Sequence, residues 1–152
     1  MKNIVFGLGM LLSLLFASCN KELATPYDHP FFYIHVKKAS EVQVQTARNE
    51  TVEYPVYFST KQQYEAITLD YEVIVGDGLK AGVDFELLNT GTSLVFKPGF
   101  VEMPIRIRWI SHAVDPAKDN TIRIKLLKND KQITIGLPGP DANQSELKII
   151  KI

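Results

Sequence analysis

From Phe31 onward, apolar residues recur at every second position along most of the chain. In the stretch ITLDYEVIV, Ile67, Leu69, Tyr71, Val73 and Val75 fall on one side, and Thr68, Asp70, Glu72 and Ile74 on the other. A period of two is the signature of a half-buried β-strand, because successive side chains leave a strand on opposite faces. VEMPIRIRW alternates in the same way, with Val101, Met103, Ile105, Ile107 and Trp109 set against Glu102, Pro104, Arg106 and Arg108. TIRIKL follows with Ile122, Ile124 and Leu126. The runs FFYIHV, EVQVQ, VEYPVYFS, SLVFK, QITI and ELKIIKI complete a set of eight to nine predicted strands. No stretch carries a capped apolar face of period 3.6, so at most a turn of helix is expected near 61–65 or 116–118.

Short strands separated by turn residues predict an antiparallel β-sandwich. Gly76-Asp77-Gly78, Lys97-Pro98-Gly99 and the run GLPGPD supply the turn chemistry. Pro55 and Pro104 lie inside strand patterns; each lacks an N–H, which predicts an edge position or a bulge. Trp109 falls on the apolar side of its strand and is expected in the core between two sheets. Arg106 and Arg108 on the outward side would make a basic stripe with Arg123 and Lys125 if those two strands pair.

The N-terminal segment breaks the pattern. MKNIVFGLGMLLSLLFASCNKE has a basic start at Lys2, an apolar run from Ile4 to Phe16 and small residues before Cys19. As a helix that run is about 20 Å long, too short for a hydrocarbon core of about 30 Å, so it reads as the apolar region of a secretory signal. Ala17-Ser18-Cys19 resembles a bacterial lipobox, with Phe16 where leucine is usual. The resemblance implies diacylglycerol on the Cys19 thiol and cleavage before it. The expected organisation is a signal peptide over 1–18, a lipidated cysteine and tether over 19–30, and the sandwich over 31–152. Cys19 is the chain's single cysteine, so lipidation leaves no thiol for a nucleophile or a disulfide. Glu22 is the one acid close behind it, which leaves surface and periplasmic display both open.

At 152 residues, with Lys plus Arg and Asp plus Glu both at 17, the chain suits one domain with no overall pull toward nucleic acid.

Residues 76–127 resemble the Calx-β domain, an immunoglobulin-like sandwich. The resemblance is carried by KAGVDFELL, then GTSLVFKPG, then MPIRIRWI, then a polar loop and DNTIRIKLL. It implies calcium ligands at one end of the sandwich, with Asp84 among them and Asp115 and Asp119 as further candidates. The family's paired aspartates after the IRIRWI strand are Ser111-His112 here. Calcium wants six to eight hard oxygen ligands, so no metal is expected, and Asp84 is expected instead to accept backbone amides in its own turn.

Other chemistry is thin. His29, His35 and His112 show no metal-ligand spacing, and no G-x-S-x-G elbow exists. Asp70 and Glu72 share one strand face as solubilising residues. Tyr57, Tyr64 and Phe100 are candidate ligand-binding aromatics, the rings a sugar-binding sandwich would stack on a pyranose. The resulting expectation is a non-catalytic envelope lipoprotein of a Gram-negative outer membrane, acting as a binding or scaffolding module. In layout it is similar to the small lipoproteins that accompany glycan-import outer-membrane complexes, which implies a protein partner there or a polysaccharide. A calcium-stabilised spacer and a carbohydrate-binding module are the alternatives.

Overall fold

The computed structural model describes residues 29–152, so the expected signal peptide, the lipobox-like stretch with Cys19 and nearly all of the expected tether lie outside the described residues. Within them the chain forms ten strands and no helix: β1 (Phe31–Ile34), β2 (Glu41–Val44), β3 (Thr51–Ser59), β4 (Ile67–Val75), β5 (Phe85–Leu87), β6 (Ser93–Phe96), β7 (Glu102–Trp109), β8 (Thr121–Asn129), β9 (Thr134–Ile135) and β10 (Glu146–Lys151). They make two five-stranded sheets, ordered β5-β7-β3-β1-β9 and β2-β10-β8-β4-β6. The alternation read from sequence is the alternation of burial over most of each strand. Ile67, Leu69 and Tyr71 of β4 and Ile105, Ile107 and Trp109 of β7 point into the space between the sheets, while toward the strand ends Val73 and Met103 are half-buried and Val75 and Val101 are exposed. Phe32, Phe58 and Phe96 meet there, with Phe32 stacked on Phe58 at 4.4 Å. Trp109 is fully buried and donates its indole N–H to the Tyr54 hydroxyl at 2.9 Å.

Two pairings depart from the antiparallel expectation. β1 runs parallel to β9, and β10 runs parallel to β2. In both cases one strand arrives by crossing from the facing sheet, so hairpin geometry does not set its direction. After β1 the crossing is a tight turn, Val36 bridged to Ala39 in both directions, with Lys37 and Lys38 both at positive φ (50° and 70°). β5 is a further strand that periodicity missed, since three residues are too few to show a period.

The prolines were expected at an edge or a bulge, yet β3 and β7 are interior strands and Pro55 stands directly opposite Pro104. The reason is local. The Phe58 amide donates to Val101 and the Trp109 amide to Glu50, so the even-numbered amides of β3 and the odd-numbered amides of β7 face each other. Pro55 and Pro104 occupy the positions whose N–H would point away from that pair. Pro55 faces the side where β1 stops pairing at Ile34, and Pro104 faces the side where β5 stops at Leu87. Each missing donor falls just past the end of a neighbouring strand, and no ladder bond is lost.

The basic stripe is also corrected. β7 and β8 belong to different sheets, so Arg106 and Arg108 are on the opposite side of the molecule from Arg123 and Lys125. Arg106 pairs with Glu53 at 2.7 Å, Arg108 with Glu86 at 2.9 Å, and Lys125 with Glu72 at 3.8 Å.

Candidate functional site

Asp84 closes the turn that leads into β5. Gly82 takes the left-handed conformation there (φ 80°), a backbone region open to glycine without a Cβ clash. The Asp84 amide donates to the Lys80 carbonyl, and the Lys80 amide donates back to Asp84 Oδ2 at 2.9 Å. The expected role in its own turn is therefore present. The sequence reading did not anticipate what faces the other carboxylate oxygen. Lys151, 1% exposed, places its ammonium 3.1 Å from Asp84 Oδ1, 3.3 Å from the Asp84 carbonyl and 2.9 Å from the Ile110 carbonyl. A lysine ammonium has three donors and no acceptor, and here each donor has an oxygen. His112 Nδ1 lies 2.9 Å from the same Oδ1, its ring half exposed.

Burial alone would push the Asp84 carboxyl up. The bonds from the Lys80 amide, His112 and Lys151, with the charge of Lys151, outweigh it and hold the group below the ordinary carboxylate range. The cluster ties the two sheets together, since Lys151 ends β10 of one sheet while Asp84 and Ile110 flank β5 and β7 of the other. The side of Asp84 that the family resemblance would give to calcium is thus filled by a cation of the chain's own. A signal for this was present. In ELKIIKI, Leu147, Ile149 and Lys151 share the buried face, so alternation alone puts a lysine where apolar residues belong.

The other candidate calcium ligands do not join Asp84. Asp115 Oδ1 accepts from the Ala117 amide, and its carbonyl accepts from the Asn120 side chain. Asp119 is exposed, with its amide bonded to Asp77 Oδ1 and its carbonyl to the Gly78 amide. Among the described residues no three His, Cys, Asp or Glu side chains are grouped to hold a metal ion.

The three candidate aromatics occupy separate settings. Tyr57 lies on the outer face of its sheet, directly opposite Tyr33. Its ring is stacked with Tyr33 at 5.3 Å and with His35 at 4.7 Å, and Tyr33 reaches Phe31 at 5.3 Å. All four rings are half-buried. Burial raises the Tyr57 phenol pKa, helped by Glu102 and Tyr33. Sequence reading singled out Tyr57 and missed its companions, although Phe31, Tyr33 and His35 alternate with the buried Phe32 and Ile34. Phe100 is 54% exposed at the β6–β7 turn, where its amide bonds the Lys97 carbonyl. Tyr64 is 76% exposed in the irregular loop between β3 and β4, among the residues lining a cavity of about 300 Å³.

No family model matches the sequence, and no curated protein matches it. Among solved structures it is similar to a Calx-β domain structure, the crystal structure of CBD12 from CALX1.2. The TM-score is 0.58 at 20% identity, over 80% of this chain and 43% of that one. The chain therefore spans less than half the length of that structure. At this identity the likeness concerns architecture: the chain folds as an all-β, immunoglobulin-like sandwich of the Calx-β kind.

Proposed function

We propose that the chain is a non-catalytic binding or scaffolding module of the bacterial envelope, lipid-anchored at Cys19 to the outer membrane. In this reading it works beside a polysaccharide-uptake complex. The observation that carries the binding role is the aromatic cluster of Phe31, Tyr33, His35 and Tyr57 on the outer sheet face. Half-buried aromatic residues gathered on a sheet face are the composition of a protein interface core, where tyrosine is enriched and charge depleted. A non-catalytic role is supported by the fate of the buried charges. Asp84 and Lys151 satisfy each other; the remaining Asp84 oxygen accepts from the Lys80 amide, and the remaining Lys151 donors go to the Asp84 and Ile110 carbonyls, which leaves neither as a free acid, base or nucleophile.

The test places a photo-crosslinker at Tyr57 in cells and identifies captured envelope neighbours by mass spectrometry. Capture of a defined outer-membrane protein, abolished by Tyr33→Ala, supports the reading; no specific capture at that face refutes its protein-scaffold form. Intact-mass analysis of the membrane fraction tests the acyl group at Cys19, and protease shaving of whole cells tests surface against periplasmic display. A calcium-stabilised spacer is disfavoured by the Lys151 ammonium beside Asp84.

A further inference from the structure

We propose that the cavity under the 60–66 loop is a subsite for one neutral sugar ring, with Tyr64 as its stacking wall. The proposal rests on the binding-module reading and deepens it. The cavity has a volume of about 300 Å³, is open to solvent, and has Phe58, Ile67 and Ile133 among its lining residues. That volume is at the small end of the range of about 300–1,000 Å³ for small-molecule sites, which suits a single ring.

Three observations select the ligand. The first is Gln63, which lines the cavity. Its side-chain amide donates to the Phe96 carbonyl and to the Glu65 carbonyl. Those two acceptors fix the amide orientation and leave Oε1 buried with no hydrogen-bond partner. A buried acceptor without a donor is costly, and a ligand hydroxyl supplies one; an anion or a hydrocarbon does not. Asn120 Oδ1 is the other such atom among the described residues. It abuts Gly78, where a Cβ would lie only 2.0 Å away, so backbone fills its space. Gln63 Oε1 belongs instead to a side chain that lines a cavity.

The second observation is an ion pair in the lining, Lys131 with Glu65. The pair offers a donor and an acceptor side by side with no net charge. That matches adjacent hydroxyls, which both accept and donate, and it opposes a charged ligand of either sign. The third is Tyr64 itself, a lining residue that is 76% exposed. A pyranose presents a C–H face to such a ring while its hydroxyls turn to the polar groups.

The test is an NMR titration of the mature chain with methyl glycosides of glucose, galactose and mannose, with glucuronate as charged control. Saturable shifts confined to 60–67 and 131–133 with a neutral glycoside are expected. Tyr64→Ala should weaken the binding about tenfold, a contact of about 1.4 kcal/mol, and Tyr64→Phe should restore it. Absence of saturable shifts at about 50 mM glycoside, well above a millimolar dissociation constant, overturns the site. So does equal binding of glucuronate, or binding undiminished in Tyr64→Ala. Crosslinking at Tyr57 is read in parallel. Capture there without sugar shifts removes the sugar site and keeps the module. Sugar shifts without capture uphold the site and remove the protein-scaffold reading.

Discussion

Replacing Lys151 by methionine removes the ammonium while keeping most of the side-chain volume. In the native protein that ammonium is fully enclosed, and its three oxygen partners are the Asp84 carboxylate, the Asp84 carbonyl and the Ile110 carbonyl. Removing one partner of a buried ion pair costs about 3–5 kcal/mol, because the other charge stays buried. Asp84 would keep the Lys80 amide and His112, which places the expected loss at the lower end, about 3 kcal/mol. With about 2.1 cal/mol/K of unfolding entropy per residue over the described domain, each kcal/mol moves the Tm by about 4 °C. The variant should therefore melt about 12 °C lower in calorimetry. Lys148→Met is the control. Lys148 pairs with Glu41 at 3.0 Å, but both side chains are substantially exposed, and such pairs contribute about 0–1 kcal/mol. The double variant Asp84→Asn/Lys151→Met, which buries no charge, should recover part of the loss. A Tm drop for Lys151→Met no larger than that of Lys148→Met would refute the view that this ion locks the two sheets together.

Four further outcomes follow from the same geometry. Asp84 has a depressed native carboxyl pKa, so its contribution is present above the unfolded value of about 3.9 and lost as pH falls through the lower native value; urea unfolding below pH 4 should show a smaller decline in Asp84→Asn than in the native chain. Calcium added to the chelated protein should leave the Tm unchanged, since the cation position beside Asp84 is already filled, whereas a ligand of the folded state would raise it. Tyr54 is pushed up to about 12 by burial, against the opposing effect of its Trp109 bond; its stabilisation is complete below an unfolded pKa of about 10 and is lost as pH rises through the native value. Tyr54→Phe should cost about 1–3 kcal/mol by orphaning the Trp109 indole N–H and should flatten stability above pH 10, both readable in denaturant titrations. Gly78→Ala should destabilise by about 1–3 kcal/mol, because its new methyl would meet Asn120 Oδ1 at 2.0 Å; a Tm equal to that of the native chain would contradict the close packing of those loops.

What was legible in sequence was whatever depends on residues two apart. The burial of Ile67, Leu69 and Tyr71, and of Ile105, Ile107 and Trp109, needs only the pleat. Pairing across the molecule depends on topology, and there the reading fell short. The parallel contacts of β1 and β10, the separation of β7 from β8 and the two offset prolines all follow from which sheet a strand enters. The site divides in the same way. Asp84 was visible as the closing residue of its turn, while Lys151, Ile110 and His112 come together from positions 67, 26 and 28 residues away. Tyr64 was visible as an aromatic at a turn. The buried acceptor beside it was not, because the unmet Gln63 Oε1 exists only once the Phe96 carbonyl has claimed the amide nitrogen.

The position of β1 has a mechanical consequence. The chain enters the sandwich at Pro30 and passes directly into a strand held on one flank by β3 and on the other by β9. A pull delivered through the preceding residues would act along β1, so that the backbone bonds on both flanks resist together by sliding instead of parting one after another. An attachment through this end would transmit drag to the whole sandwich before any strand could peel away.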